Sequence, residues 1–168
     1  MVMRDIRLLG DPVLRSECDP VVSFDGELRA LVTDLMDTLL GAPGRAGVAA
    51  NQIGVPARVF VWSAGGSVGH IVNPSVVVGE EQQNGEEGCL SLPGLYYPTP
   101  RAMTATAYGF DQHGEPITVE GTGFLARALQ HEAGHLAGQL YVDTLKGDSR
   151  RQALRDIRSA PWAGPTPR

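Results

Sequence analysis

Apolar side chains recur at one-face helical spacing early in the chain: Leu28, Leu31, Val32, Leu35, Met36, Leu39 and Leu40 follow the i, i+3, i+4, i+7 rule. Asp25 stands ahead of them as a capping residue and Gly41 behind them as a stop, so the pattern predicts an amphipathic helix over about 26–40. From 57 to 120 the texture changes to short β-branched and aromatic runs, "ARVFVWS", "GHIVNPSVVVG", "MTATAYGFD" and "PITVEG", broken by Gly and Pro. "DQHGEP" at 111–116 predicts a hairpin turn between two of them. Helical period returns in "FLARALQHEAGHLAG", with Leu125, Leu129 and Leu136 apolar and Gly138 a natural stop. A short helix over 149–158 follows, started by Ser149 and carrying Ala153, Leu154 and Ile157. Helices segregated around a strand-rich middle predict an α+β fold: strands enclosing one central helix, with an N-terminal amphipathic helix and a short C-terminal one.

Composition narrows the picture. The 168 residues suit a single domain over 1–168, and the stretch from 160 to 168, "APWAGPTPR", reads as a loose tail. A net charge of −5 argues against a generic nucleic-acid binder. The charged start "MVMRDIRLLGDP" lacks the apolar core of a secretory signal, and no apolar run approaches the roughly 18 residues of a membrane span. These features predict a cytoplasmic protein in which Cys18 and Cys89 stay reduced.

The central helix carries the chemistry. In "QHEAGHLAGQLYVD", His131 and His135 stand four residues apart and share one helix face, so both imidazoles can reach one cation, with Glu132 placed to trade a proton with water there. A metal that activates water usually takes three protein ligands and one open position. No His follows His135 and no Glu follows Glu132, so the extended zinc-protease patterns fail: Tyr141 stands where their third His belongs. Downstream only Asp143, Asp148 and Asp156 remain, which directs attention upstream, to Cys89 in the Gly-flanked "NGEEGCLSLPG". A thiolate is a good ligand for a divalent ion, although a lone Cys is more often a small buried hydrophobe.

Three segments, "GVAANQIG" at 47–54, "EGCLS" at 87–91 and "QHEAGH" at 130–135, resemble in order and spacing the peptide deformylases, which remove the N-formyl group from nascent bacterial proteins. The resemblance extends over nearly the whole chain, through "NP" at 73–74, "PR" at 100–101 and "HLAGQLYVD" at 135–143. It implies that Cys89, His131 and His135 hold the metal and that Glu132 is the general acid/base. It further implies that Gln52 and the backbone N–H of Leu90 hold the developing oxyanion, and that Gly47 lies beside the substrate. The implied ion is ferrous, while the ligand types by themselves also accept zinc or nickel.

Two positions depart from the family pattern. Arg45 replaces a common glycine, and Gly134 replaces a common acidic residue. Gly134 costs a helix interior about 1 kcal/mol relative to Ala and removes a side chain that could support a ligand, so metal retention is the property it is expected to affect. The implied substrates are N-formylmethionyl peptides. Other classes to be tested are a deformylase of a specialised small molecule and a structural zinc protein using Cys18 as fourth ligand. Finally, 145–159 holds five basic residues against two acidic ones, and Arg151, Arg155 and Arg158 fall on one face of the last helix. That face is either a solvated surface or, as in some deformylases, a contact for the ribosome. If the latter, removing 145–168 is expected to weaken ribosome binding and spare hydrolysis of short peptides.

Overall fold

The structure, a computed structural model, describes residues 2–163. Its helices are α1 (Gly26–Leu40), α2 (Phe124–Leu136) and α3 (Gly147–Ser159). Its strands are β1 (Gly47–Ala49), β2 (Val59–Ala64), β3 (Ser67–Val78), β4 (Gln82–Cys89), β5 (Leu92–Ala102), β6 (Thr104–Phe110) and β7 (Pro116–Thr122). All pairing between named strands is antiparallel: a five-stranded sheet in the order β1-β2-β3-β6-β7 and a separate β4-β5 hairpin.

Period-two alternation in β2 explains how the layers assemble. Val59 and Val61 face α1, packing with its Leu28, Val32, Leu35 and Leu39, while Phe60 and Trp62 face the other way onto Ala126, Leu129 and Leu136 of α2. The sheet is therefore covered by α1 on one face and α2 on the other. The five-stranded sheet packs on one side of α2, and the β4-β5 hairpin meets α2 through Gln130, whose Oε1 accepts from Ala102 N at 3.0 Å.

Local signals behave as their chemistry requires. Asp25 caps α1 by accepting from Leu28 N at 3.1 Å. Residue 138 follows α2 with φ 75°, and a Cβ there would lie 2.7 Å from the carbonyl oxygen of Arg15, so only glycine closes this helix against the N-terminal segment. Among the described residues Asn73 is the non-glycine one with positive φ, at 51°; it sits where the β3-β6 register shifts, and its amide is fixed to Val21 N and Val21 O at 2.8 and 2.9 Å. The "NP" dipeptide thus marks a bulge.

The C-terminal region differs from expectation. Helix α3 starts two residues before Ser149, at Gly147, and Leu154 is exposed while Ala153 and Ile157 pack inward. Pro161–Ala163 form a 3-10 turn in which Trp162 Nε1 donates to Pro93 O at 2.9 Å, so the expected loose tail begins as an anchored turn; 164–168 lie outside the described residues. Leu145, Ala153, Ile157 and Trp162 complete a cluster with Leu92, Tyr97 and Tyr141 that also touches Cys89. Removing 145–168 would strip this cluster, so the expectation that such a truncation spares hydrolysis is withdrawn.

Candidate active site

Helix α2 and the end of β4 bring three ligand-type side chains together. Cys89 Sγ, His131 and His135 have donor atoms within 4.8 Å of one another. Cys89 Sγ lies 3.4 Å from His135 Nε2, and the two Nε2 atoms are 3.2 Å apart. Around a tetrahedral ion with ordinary bond lengths, the N···N edge is about 3.3 Å and the S···N edge about 3.6 Å. The donor set therefore fits a divalent transition metal. Cys18 is not part of it: it is buried in the core against Phe60 and Leu136, and burial raises its thiol to about 11. The downstream aspartates are also elsewhere, with Asp143 on Arg15, Asp148 on Arg151 and Asp156 on Tyr97.

One imidazole is oriented by a partner that sequence reasoning missed. Glu87, 6% exposed, accepts from His131 Nδ1 at 3.2 Å and is gripped by Arg101 through Nε and Nη2 at 3.2 and 3.0 Å. Burial pushes this carboxyl up, but His131 and Arg101 outweigh it and hold it below its ordinary value. An ionised Glu87 fixes the proton of His131 on Nδ1 and leaves Nε2 bare toward the ion. The "EG" before Cys89 and "PR" at 100–101 carried this pair in the sequence, without any sign that they meet across the hairpin. His135 has no such support among the described residues, where its buried Nδ1 lacks a partner.

Glu132 is 3% exposed, and its Oε2 has no hydrogen-bond partner among the described residues. Burial is the main reason its carboxyl is raised to about 7, against the lowering effect of His131. Gly47, at the start of β1, makes room for it: a Cβ on Gly47 would stand 2.6 Å from Glu132 Oε1. Gln52 is buried, and its orientation follows from its partners: Oε1 accepts from Ala49 N at 3.0 Å, which turns Nε2 toward Ser91 Oγ at 3.1 Å and Cys89 Sγ at 3.7 Å. Leu90, in the turn after Cys89, lines the same cleft.

The cleft has a volume of about 680 Å³ and runs from Gly47, Gln52, Cys89, His131 and Glu132 past Met3, Arg4, Asp5, Ile6 and Leu8. Arg45 lines it while donating to Thr38 O at 2.5 Å, so it secures the last turn of α1. Gly134 points elsewhere: the nearest atom to a Cβ there is Gln139 O, at 3.9 Å.

Three convergent soft and imidazole donors with an unpartnered carboxylate beside them, in an open cleft, define a metal-dependent hydrolase type of site. A family model described as polypeptide deformylase matches residues 3–151. The peptide deformylase of Acidothermus cellulolyticus is 56% identical over 168 residues, covering 100% of this chain and 93% of that one. The solved peptide deformylase from Thermus thermophilus superposes with a TM-score of 0.87 at 38% identity, covering 94% of this chain and 95% of that one. That from Legionella pneumophila superposes with a TM-score of 0.84 at 41% identity, covering 92% of each. The chain belongs to the peptide deformylase family.

Proposed function

We propose that the chain removes the N-formyl group from N-formylmethionyl peptides in the cytoplasm, using one ferrous ion held on α2 by His131 and His135 and on β4 by Cys89. When bound, the ion acidifies water and polarises the formyl oxygen. Glu132 takes the proton of the attacking water on Oε2 and delivers it to the leaving amine, and formate departs. Gln52 Nε2 and the Leu90 N–H steady the oxygen as it gains charge. Gly47 keeps the floor low enough for the formyl group to lie against Glu132.

The observation that carries this reading is the buried Glu132 Oε2, left without a partner beside three converging donor atoms. A structural zinc site is disfavoured by the place of Cys18 in the core. The length of the cleft, which continues along the N-terminal segment, favours an extended peptide over a specialised small molecule. All three apolar clusters border this centre or the sheet behind it, which supports treating the chain as one catalytic domain. The test is formate release from N-formyl-Met peptides by protein purified without oxygen, with metal analysis of the same sample. The expected result is activity that tracks bound iron and decays in air as iron or the Cys89 thiolate oxidises. Full, air-stable activity in an iron-free zinc preparation would contradict the metal assignment.

We extend the proposal to the exposed Arg151, Arg155 and Arg158 of α3 as a contact for ribosomal RNA, supported by their common face and by the acidic balance of the rest of the chain. Reversing these three charges, rather than truncating, should weaken co-sedimentation with ribosomes at low salt and leave peptide hydrolysis intact. Unchanged co-sedimentation would leave them as a solvated face.

A further inference from the structure

The chain stays extended just ahead of Gly47. Ala46 O accepts from Ser63 N at 2.8 Å, so pairing with β2 continues one residue beyond the start of β1. Residues two apart on extended backbone present their side chains to one face, and a Cβ on Gly47 would point at Glu132. The stem of Arg45 therefore leaves the strand on the cleft side. Its Nη1 donates to Thr38 O at 2.5 Å, and Thr38 Oγ1 accepts from Arg4 N at 2.9 Å. The guanidinium thus lies between the strand and the N-terminal segment, and Arg45 lines the cleft together with Met3, Arg4 and Asp5. Arg45 is half-buried, and among the described residues its Nε and Nη2 are neither hydrogen-bonded nor sealed from solvent. The other arginines lining the cleft each have a carboxylate, Arg4 on Asp34 at 2.8 Å and Arg127 beside Glu87 at 3.8 Å. No carboxylate of the described residues lies within ion-pair distance of Arg45.

An extended peptide whose first residue lies beside Gly47 has its third residue about 6–7 Å further on, which is also the reach from Gly47 to Arg45 along the strand. We propose that Arg45 is a specificity residue, and that its Nε and Nη2 donate to a carboxylate on the third residue of the formyl peptide. The enzyme therefore favours Asp or Glu at that position and disfavours Lys or Arg. Asp5 and Glu86 also line the cleft and have no ion-pair partner, so an acidic preference belongs only where Arg45 is the nearest charge. The pair it forms is partly solvated, which keeps the preference modest and makes it weaken with salt. This rests on the deformylase reading.

The experiment compares kcat/KM for formyl-Met-Ala-Asp, formyl-Met-Ala-Asn and formyl-Met-Ala-Lys, all as C-terminal amides at low salt, using metal-loaded wild type, Arg45→Gln and Arg45→Glu. The same comparison with the charge moved to the second residue serves as a control for register. Glutamine is neutral and can still donate to Thr38 O, and ratios taken within one protein cancel any general loss of activity. In the wild type Asp is expected to exceed Asn by about two- to fivefold and Lys by about 5- to 20-fold, shrinking as salt is raised. In Arg45→Gln the three peptides should fall within about twofold of one another, and in Arg45→Glu the order should invert, with Lys ahead of Asp. A wild type that shows no preference for Asp, or that prefers Lys, would overturn the proposal without any variant. The same ratios in all three proteins would also overturn it, as would a preference confined to the second residue. Failure of metal-loaded wild type to hydrolyse any of these peptides would instead remove the deformylase reading, and the proposal with it.

Discussion

Replacing Gly47 with Ala tests how closely the acid/base is held. The added methyl carbon would stand 2.6 Å from Glu132 Oε1 and 2.8 Å from its Cδ and Cγ. Ordinary contact begins near 3.4 Å, so the carboxylate must retreat by about 0.8 Å. It is buried against its own helix and cannot swing freely into solvent. Misplacement of a reacting group by about 1 Å can cost about 10²-fold in rate, and overpacking of this kind about 1–3 kcal/mol in stability. Gly47→Ala is therefore expected to lower kcat by about two orders of magnitude with one metal ion still bound, because none of the three ligand side chains is touched. The assay is coupled detection of formate, with metal content and denaturant unfolding on the same sample. A variant that turned over within about threefold of wild type would refute the claim that Glu132 must occupy its observed position.

Glu87→Gln should weaken metal affinity by about 10- to 100-fold, measured by chelator competition, because the neutral amide no longer fixes the His131 tautomer. Truncation before residue 145 should destabilise the protein by at least about 3 kcal/mol in urea unfolding, since it removes Leu145, Ile157 and Trp162 from their cluster. His70 Nε2 accepts from Gln112 N at 3.0 Å, and burial lowers its pKa below 6.5. This contribution to stability is present above 6.5 and is lost as the pH falls from there through the lowered folded pKa, because the unfolded chain takes the proton first. His70→Gln should flatten that part of the stability profile, and an unchanged profile would count against the assignment.

Much of the fold was legible because its signals are local. Asp25, the heptad-like run to Leu40 and Gly138 mark helix ends through caps and backbone conformation, and "DQHGEP" turns β6 into β7 through Asp111 Oδ1, which accepts from His113 N and Glu115 N. The β4-β5 hairpin was not legible as a pair of strands. "QQNGEEGC" has no apolar alternation, and "LPGLYYPTPRA" contains three prolines, tolerated because a two-stranded ribbon has free edges on both strands. That hairpin also explains what was missed in the site. Glu87 and Arg101 meet only across it, and Arg127 reaches Thr99 only because β5 passes α2. The i, i+4 histidines were readable from helix geometry, whereas Cys89 was one open alternative until the resemblance was invoked.

The central claim is that Glu132 acts on a reaction at a metal held by Cys89, His131 and His135. Its most direct test is a paired measurement on wild type and Glu132→Gln, both purified anaerobically: metal bound per chain, and formate released from a formyl-Met tripeptide per bound metal. The expected result is one ion per chain in both proteins, with formate release from the variant reduced by a factor of about 10² to 10⁴ or more. Equal turnover per bound metal in the two proteins would contradict the account.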